Sequence, residues 1–169
     1  RVFAEYSDST QILDNFAERY FGQTDPIYNS MLKRTLIAAV ARAYNPGCKV
    51  DTALILQGKQ GARKSTFFKI LAGGDQYFDD SLGNVSDKDE KLKLHRVWFV
   101  EWAELETVFR RKDVAATKAF LSSSTDFVRP PYGRDTEEMA RSSIIVGTTN
   151  QDEFLSDSTG NRRFWVVPV

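Results

Sequence analysis

The sequence predicts an α/β fold, a central and mostly parallel sheet flanked by helices, and three observations predict it. Three short apolar runs have the length and β-branched or aromatic content of buried strands: Leu54-Ile55-Leu56, Val97-Trp98-Phe99-Val100 and Ile144-Ile145-Val146. Stretches with apolar residues at helical spacing lie between them, and strands alternating with helices build parallel sheets. The 169 residues, 41% hydrophobic and 12% aromatic, are enough for one domain with a real core.

Each element has its own local reason. Asp8-Ser9-Thr10 caps a first helix, along which Ile12, Leu13, Phe16, Ala17, Tyr20 and Phe21 recur at helical spacing. Pro26 to Tyr44 is a second helix, stopped by Asn45-Pro46-Gly47. Residues 1–50 are therefore expected to form a helical cap on a core of residues 51–169. Thr52 to Leu56 is a buried strand, followed by a glycine-rich turn and a helix that ends at Gly73-Gly74. Tyr77 to Asp80 is a short strand or a loop. Ser86 to Glu90 opens a charged helix to about Leu94, its charges forming a solvated face. Arg96 to Glu101 is the second strand, and Trp102 to Arg110 reads as helix. Asp113 caps a further helix through Leu121, and Thr125 to Arg129 is a strand. Ser142 to Gly147 is the third buried strand, Asp157 to Asn161 a loop, and Arg163 to Val169 a last strand-like run.

The totals exclude several classes of chemistry. Basic and acidic residues number 23 each, so a nucleic-acid contact needs a local basic patch rather than a global field. Cys48 stands alone, which excludes an intrachain disulfide and a thiolate zinc cluster. His95 is the only histidine, which removes Ser-His-Asp and His-rich metal chemistry. No apolar run approaches the roughly 20 residues of a membrane span, and no signal peptide is visible. A cytoplasmic protein without a membrane partner is expected, and both ends read as cut from a longer chain.

Chemistry concentrates in the turn after the first strand. Gly58-Lys59-Gln60-Gly61-Ala62-Arg63-Lys64-Ser65 has the P-loop spacing G-x-x-x-x-G-K-[ST], with Arg63 in place of the second glycine. Backbone amides at a helix N-terminus cradle the phosphates of a nucleotide and the helix dipole adds to the attraction. Gly58, Gln60, Gly61, Ala62, Arg63, Lys64, Ser65 and Thr66 form the expected nucleotide-binding stretch. Lys64 reaches the β- and γ-phosphates, and Ser65 ligates Mg²⁺. Forcing Arg63 to positive φ costs roughly 1–2 kcal/mol, a tolerable amount. The plainer reading is a degenerate loop with weak binding.

The rest of an ATP site is present in order. Glu101 ends the second strand and suits the Mg²⁺ shell; Glu104 suits orientation of the attacking water, with Glu106 a weaker stand-in. Asn150 ends the third strand after Thr148 and Thr149, on the edge where ligands of parallel sheets bind. Arg162 and Arg163 offer charge to a transferring phosphoryl group, Arg162 to a neighbour's nucleotide in a ring and Arg163 to the chain's own. A surface pair is the plainer alternative.

Taken together, Trp98-Phe99-Val100-Glu101-Trp102-Ala103-Glu104-Leu105, Lys118-Ala119-Phe120-Leu121-Ser122, Asp126 to Arg134, Gly147 to Asn150 and Gly160 to Trp165 resemble the virulence-associated protein E family. That family comprises P-loop ATPases of phages and mobile elements, related to superfamily 3 helicases and the AAA+ fold. The resemblance covers roughly residues 54–169. It implies Lys64 and Ser65 as Walker A residues, Glu101 and Glu104 as Walker B acids, Asn150 as sensor and Arg162 and Arg163 as finger candidates. Family members usually carry glycine where this chain has Arg63. The resemblance also implies a hairpin within Thr125 to Arg141 that grips single- or double-stranded DNA through Arg129, Tyr132 and Arg134, with Lys118 a weaker candidate. Alternatively Pro130, Pro131 and Tyr132 pack a turn and the arginines pair with Asp126, Asp135 or Glu137.

The resulting expectation is a Mg-ATP-dependent P-loop ATPase acting as a DNA helicase or remodelling motor, assembled as a homo-oligomer such as a hexameric ring. Two rivals are a nucleotide-binding module with little turnover, which Arg63 motivates, and a small-molecule or nucleotide kinase.

Overall fold

A computed structural model of the chain describes residues 10–83, 87–103, 105, 114–129, 135–151 and 161–169. The chain enters through α1 (Thr10–Asp14) and α2 (Phe16–Phe21). The sequence predicts one continuous helix here, and the structure breaks it at Asn15, whose φ and ψ are −131° and 31°. The reason is Asn29, on the next helix. Its amide donates to the carbonyls of Leu13 and Asp14, each at 2.9 Å, and its oxygen accepts from the Ala17 amide at 3.2 Å. Backbone groups released by the break thus keep partners.

Helix α3 (Pro26–Tyr44) has the predicted bounds. Pro26 occupies the first turn, and the Asp25 side chain accepts from the Ile27 amide at 2.9 Å. Next come β1 (Ala53–Gln57), α4 (Lys64–Ala72), a single 3₁₀ turn (Asp75–Tyr77), β2 (Phe78–Asp79) and α5 (Lys88–Lys93). Strand β3 spans Phe99–Trp102. Trp102, expected to begin a helix, instead closes this strand. It pairs in register with Gly147 and is fully buried, so it belongs to the sheet. Helix α6 (Val114–Ser122), β4 (Thr125–Val128), β5 (Glu137–Ala140), β6 (Ile144–Thr149), a second 3₁₀ turn (Asn161–Arg163) and β7 (Phe164–Pro168) complete the described residues.

The main sheet has the order β2-β3-β6-β1-β7, and every neighbouring pair is parallel. Strand alternation divides the core into two faces. Leu54 and Leu56 of β1 face Phe16, Leu32 and Phe68 from α2, α3 and α4. Ala53 and Ile55 face the other way, toward Trp102, Leu105, Phe120 and Leu121. Burial on both faces explains why these strands read as continuous apolar runs. The N-terminal helices therefore share one core with the sheet. Gly147 on β6 sits where space is tight, since a Cβ there would lie 2.9 Å from Ile55 Cδ1 and 3.3 Å from the Trp102 carbonyl oxygen.

Strands β4 and β5 form a separate antiparallel pair, with Thr125 opposite Ala140 and Val128 opposite Glu137. The predicted hairpin is thus present; its tip, residues 130–134, lies outside the described residues. Among the described residues no helix is long and apolar enough to cross a membrane.

Candidate functional site

Three parallel strands end side by side, and polar residues gather beyond their carboxyl ends. Pairing of β1 with β6 runs on past Gln57, since the Gly58 amide donates to Thr149 at 3.1 Å. Gln57 Nε2 also donates to the Gln151 carbonyl at 2.9 Å. These bonds lace the start of the turn to the segment that carries Asn150. Gly58 is required there, because a Cβ would collide with the Val169 carbonyl.

The turn then closes on α4. Gly61 has φ of 86°, with open space where a side chain would be. Arg63 has φ and ψ of 58° and 31° and is the one non-glycine residue with positive φ among the described residues. It thus adopts the left-handed conformation for which glycine would be the easy choice. Arg63 is exposed and stands at the N-cap without a side-chain capping bond, which leaves the first amides of α4 facing the turn.

Lys64 is buried, and its ammonium is held at three points. Nζ donates to the carbonyls of Gly58 at 2.8 Å and Lys59 at 3.0 Å, and to Asn150 Oδ1 at 2.8 Å. One turn of backbone and the end of β6 are thereby tied to a single positive charge.

Glu101 lies beside it on β3 and is completely buried. Its Oε1 accepts from Ser65 Oγ at 2.8 Å and Thr148 Oγ1 at 2.6 Å. Its Oε2 is buried and has no hydrogen-bond partner among the described residues. Burial pushes the carboxyl above its usual range. Hydrogen bonds from Thr148 and Ser65 pull it back, the Asp80 carboxylate pushes it up, and Lys64 pulls it down.

A buried carboxylate oxygen without a partner is costly and calls for an explanation. The donor set here is oxygen only: Glu101 Oε2, the Ser65 hydroxyl and, within electrostatic reach, Asp80. That set fits a hard divalent cation. Among the described residues no group of three His, Cys, Asp or Glu side chains forms an all-protein cage. Mg²⁺ typically takes one or two protein ligands and completes its shell with water and phosphate oxygens.

Lys64, Ser65, Glu101 and Asn150 are thus brought together as the sequence predicts. Gly58, Gln60, Gly61, Ala62, Arg63 and Thr66 form or border the same turn. Glu104, Tyr132 and Arg134 lie outside the described residues. Arg162 and Arg163 are placed elsewhere. They precede Phe164, which pairs with Ala53 at the amino end of β1, whereas the Lys64 cluster lies beyond its carboxyl end. Arg163 donates to Ser122 Oγ at 3.0 Å, so within one chain it does not meet the expected phosphate site. Arg162 is exposed. Of the expected DNA contacts, Arg129 is exposed just past β4 and Lys118 is half-buried on α6.

Two features escape the sequence reading. Thr148 is a second clamp on Glu101, and its place near the carboxyl end of β6, two residues before Asn150, is the signal that could find it. The other is a buried ionic cluster at the base of the hairpin. Arg141 donates to Asp126 from Nε at 2.6 Å and from an Nη at 2.7 Å, and to the Phe120 carbonyl. His95 Nε2 lies 3.2 Å from Asp126 Oδ2. Asp126 is therefore committed to Arg141 and His95. Burial alone would raise its carboxyl. Hydrogen bonds from Arg141 and His95, together with their charges, more than offset this and lower it to about 2.

The structure is therefore that of an α/β domain, a five-stranded parallel sheet with a lysine, a hydroxyl, a buried acid and an asparagine gathered at its carboxyl edge, the edge where ligands of such sheets bind. The sequence matches the virulence-associated protein E-like domain over residues 3–169, and the chain belongs to that family. No curated protein matches it. Among solved structures it is similar to the NrS-1 C-terminal region in an apo form, with a TM-score of 0.61 and 18% identity over 94% of this chain. Two further apo structures of residues 305–718 of that region give TM-scores of 0.58 and 0.56 at 18% and 17% identity, each over 94% of this chain. The chain spans 37% or 38% of the lengths of these structures.

Proposed function

We propose that this chain is a Mg-ATP-dependent P-loop ATPase of AAA+/superfamily 3 type, acting as a DNA helicase or remodelling motor in the replication of a phage or mobile element. One observation carries the reading. Lys64 is bound to Asn150 and to the turn, next to a Glu101 whose Oε1 is clamped by Ser65 and Thr148 and whose buried Oε2 has no partner among the described residues. Membership of the virulence-associated protein E-like family supports it.

Each residue has a role in that reaction. The amides at the start of α4 and the Lys64 ammonium bind the β- and γ-phosphates. All three Lys64 bonds have protein acceptors, so gripping a phosphate means exchanging one of them. Exchange of the Asn150 bond frees that amide to orient the attacking water. Ser65 and Glu101 would hold Mg²⁺, which when bound neutralises charge on the phosphates. Thr148 keeps the Glu101 carboxylate pointed at that position. Glu104 is proposed to orient the water as well. Arg162 and Arg163 are proposed to act across a subunit boundary in a homo-oligomeric ring, and Arg129, Tyr132, Arg134 and Lys118 to contact DNA.

Arg63 motivates a second reading, a nucleotide-binding module that controls assembly with little turnover. ATPase rates with and without single-stranded DNA separate the two. Wild type and Arg63→Gly are expected to turn over and Lys64→Ala to be inactive. Nucleotide binding without turnover in wild type would leave the second reading standing. Light scattering across ATP concentrations tests assembly: a strict monomer with no DNA binding counts against a motor.

A further inference from the structure

The turn between β1 and α4 opens sideways onto a groove of about 680 Å³, well inside the range of small-molecule pockets. One end is the turn itself, with Ala62, Arg63, Lys64 and Thr66. The groove then runs along α4 to Ile70, six residues past Lys64, or about 9 Å of helix. Its walls change character along that path. The far end is aromatic and aliphatic, built from Phe16, Tyr20, Phe21, Phe67, Ile70 and Leu71. The rings there hold one another in place. Phe16 and Tyr20 have centroids 4.7 Å apart, and Phe67 meets Phe21 edge-on at 4.9 Å and Phe16 at 6.0 Å. Tyr20 and Ile70, both lining the groove, remain 51% and 74% exposed, so apolar surface at this end is open to solvent.

We propose that this groove is the nucleoside subsite of the same nucleotide, and that it takes the base by stacking and apolar contact. The inference rests on the ATPase reading above for the position of the phosphates. A cationic, amide-rich end joined to an apolar end has the polarity of a nucleoside triphosphate, and the groove leads away from the turn on the α2 side. An aromatic wall reads the face of a base, which all bases have, and larger ring systems stack better. Adenine and guanine nucleotides therefore bind alike, ahead of pyrimidine nucleotides.

Equilibrium competition against a fluorescent N-methylanthraniloyl-ATP tests this with the whole chain in Mg²⁺. The competitors are ATP, GTP, CTP and inorganic tripolyphosphate, and the variants Tyr20→Ala, Ile70→Ser and Lys64→Ala. Tyr20 and Ile70 are exposed, so neither variant threatens folding. ATP and GTP are expected to agree within about threefold and to exceed tripolyphosphate by more than about tenfold, and Tyr20→Ala to weaken ATP about tenfold, within the range seen for loss of one base–aromatic contact. Tripolyphosphate affinity is expected to be unchanged in the groove variants and lost in Lys64→Ala. In Tyr20→Trp, ATP is expected to quench the new indole and tripolyphosphate to leave it unaltered. ATP affinity unmoved by both groove variants overturns the proposal, as does tripolyphosphate binding as well as ATP. A strong preference of ATP over GTP overturns its stacking basis. Tripolyphosphate binding indifferent to Lys64 overturns the underlying ATPase reading instead, so the two failures are distinct.

Discussion

Replacing Asp126 by Asn gives the sharpest test of how the hairpin is held. In the native fold the Asp126 carboxylate sits between Arg141 and His95 and is nearly inaccessible to solvent, as is Arg141. Its folded pKa is about 2, against an ordinary value of 3.8. A group depressed in the folded state contributes stability above its unfolded pKa and loses it as pH falls through the folded one. A difference of roughly 1.8 units is worth about 2 kcal/mol at 1.36 kcal/mol per unit. That contribution is complete above about pH 5 and disappears between about pH 4 and pH 2. Asp126→Asn removes it and leaves the buried Arg141 guanidinium without its counter-charge, so the loss at pH 7 is about 3 kcal/mol. Urea unfolding of wild type and variant at several pH values between 7 and 2 is the assay. Other carboxylates titrate in both proteins and cancel in the difference. The gap should be widest near pH 7 and should shrink by about 2 kcal/mol on reaching pH 2. A gap below about 1 kcal/mol at pH 7, or one that stays constant with pH, refutes the reasoning.

Three further outcomes are expected around the turn. Lys64→Ala abolishes nucleotide binding in calorimetry and costs about 1 kcal/mol of stability, because Gly58, Lys59 and Asn150 lose a shared donor. Glu101→Gln eliminates ATP turnover yet raises the melting temperature of the nucleotide-free protein. The Glu101 carboxyl is raised in the fold, so its ionisation opposes folding above its unfolded pKa, and a neutral amide is relieved of that cost. A lower melting temperature at pH 7 than wild type would contradict this sign. Arg63→Gly relaxes the left-handed φ of 58° and stabilises the chain by about 1 kcal/mol in urea unfolding. Its ATPase rate should not fall below wild type.

Much of this was legible in the sequence because the signals are local. Pro26 and Asn45 bracket α3 as predicted, since a proline-led start and an Asn-Pro-Gly stop act within one turn of helix. The Lys64 turn was legible because its spacing is itself the geometry. What was hidden depends on partners far away in the chain. The break at Asn15 is made by Asn29, and helical periodicity carries no trace of a side chain arriving from another helix. Trp102 reads as a helix start by its neighbours, yet its strand is fixed by Gly147 and Ile55 across the sheet. Arg141 follows a hairpin whose register must be known before its pairing with Asp126 can be seen.

The placement of the two terminal arginines bears most directly on assembly. Ala53 pairs with Phe164 and Gln57 with Pro168, so β1 and β7 run side by side over five residues. Five residues of strand span about 17 Å. Arg162 and Arg163 lie before one end of that span and Lys64 lies beyond the other. No side chain bridges that distance, and Arg163 is already bonded to Ser122. If either arginine stabilises a transferring phosphoryl group, it does so in another copy of the chain. Turnover per chain should then rise with protein concentration until assembly saturates, while nucleotide affinity at the Lys64 turn stays constant. Mixing supplies the decisive form of the test. Arg162→Ala and Lys64→Ala chains, each inactive alone, should regain part of the wild-type rate together, because each supplies what the other lacks. Activity of Arg162→Ala alone equal to wild type would remove that arginine from the reaction. Turnover independent of concentration would place the whole reaction inside one chain.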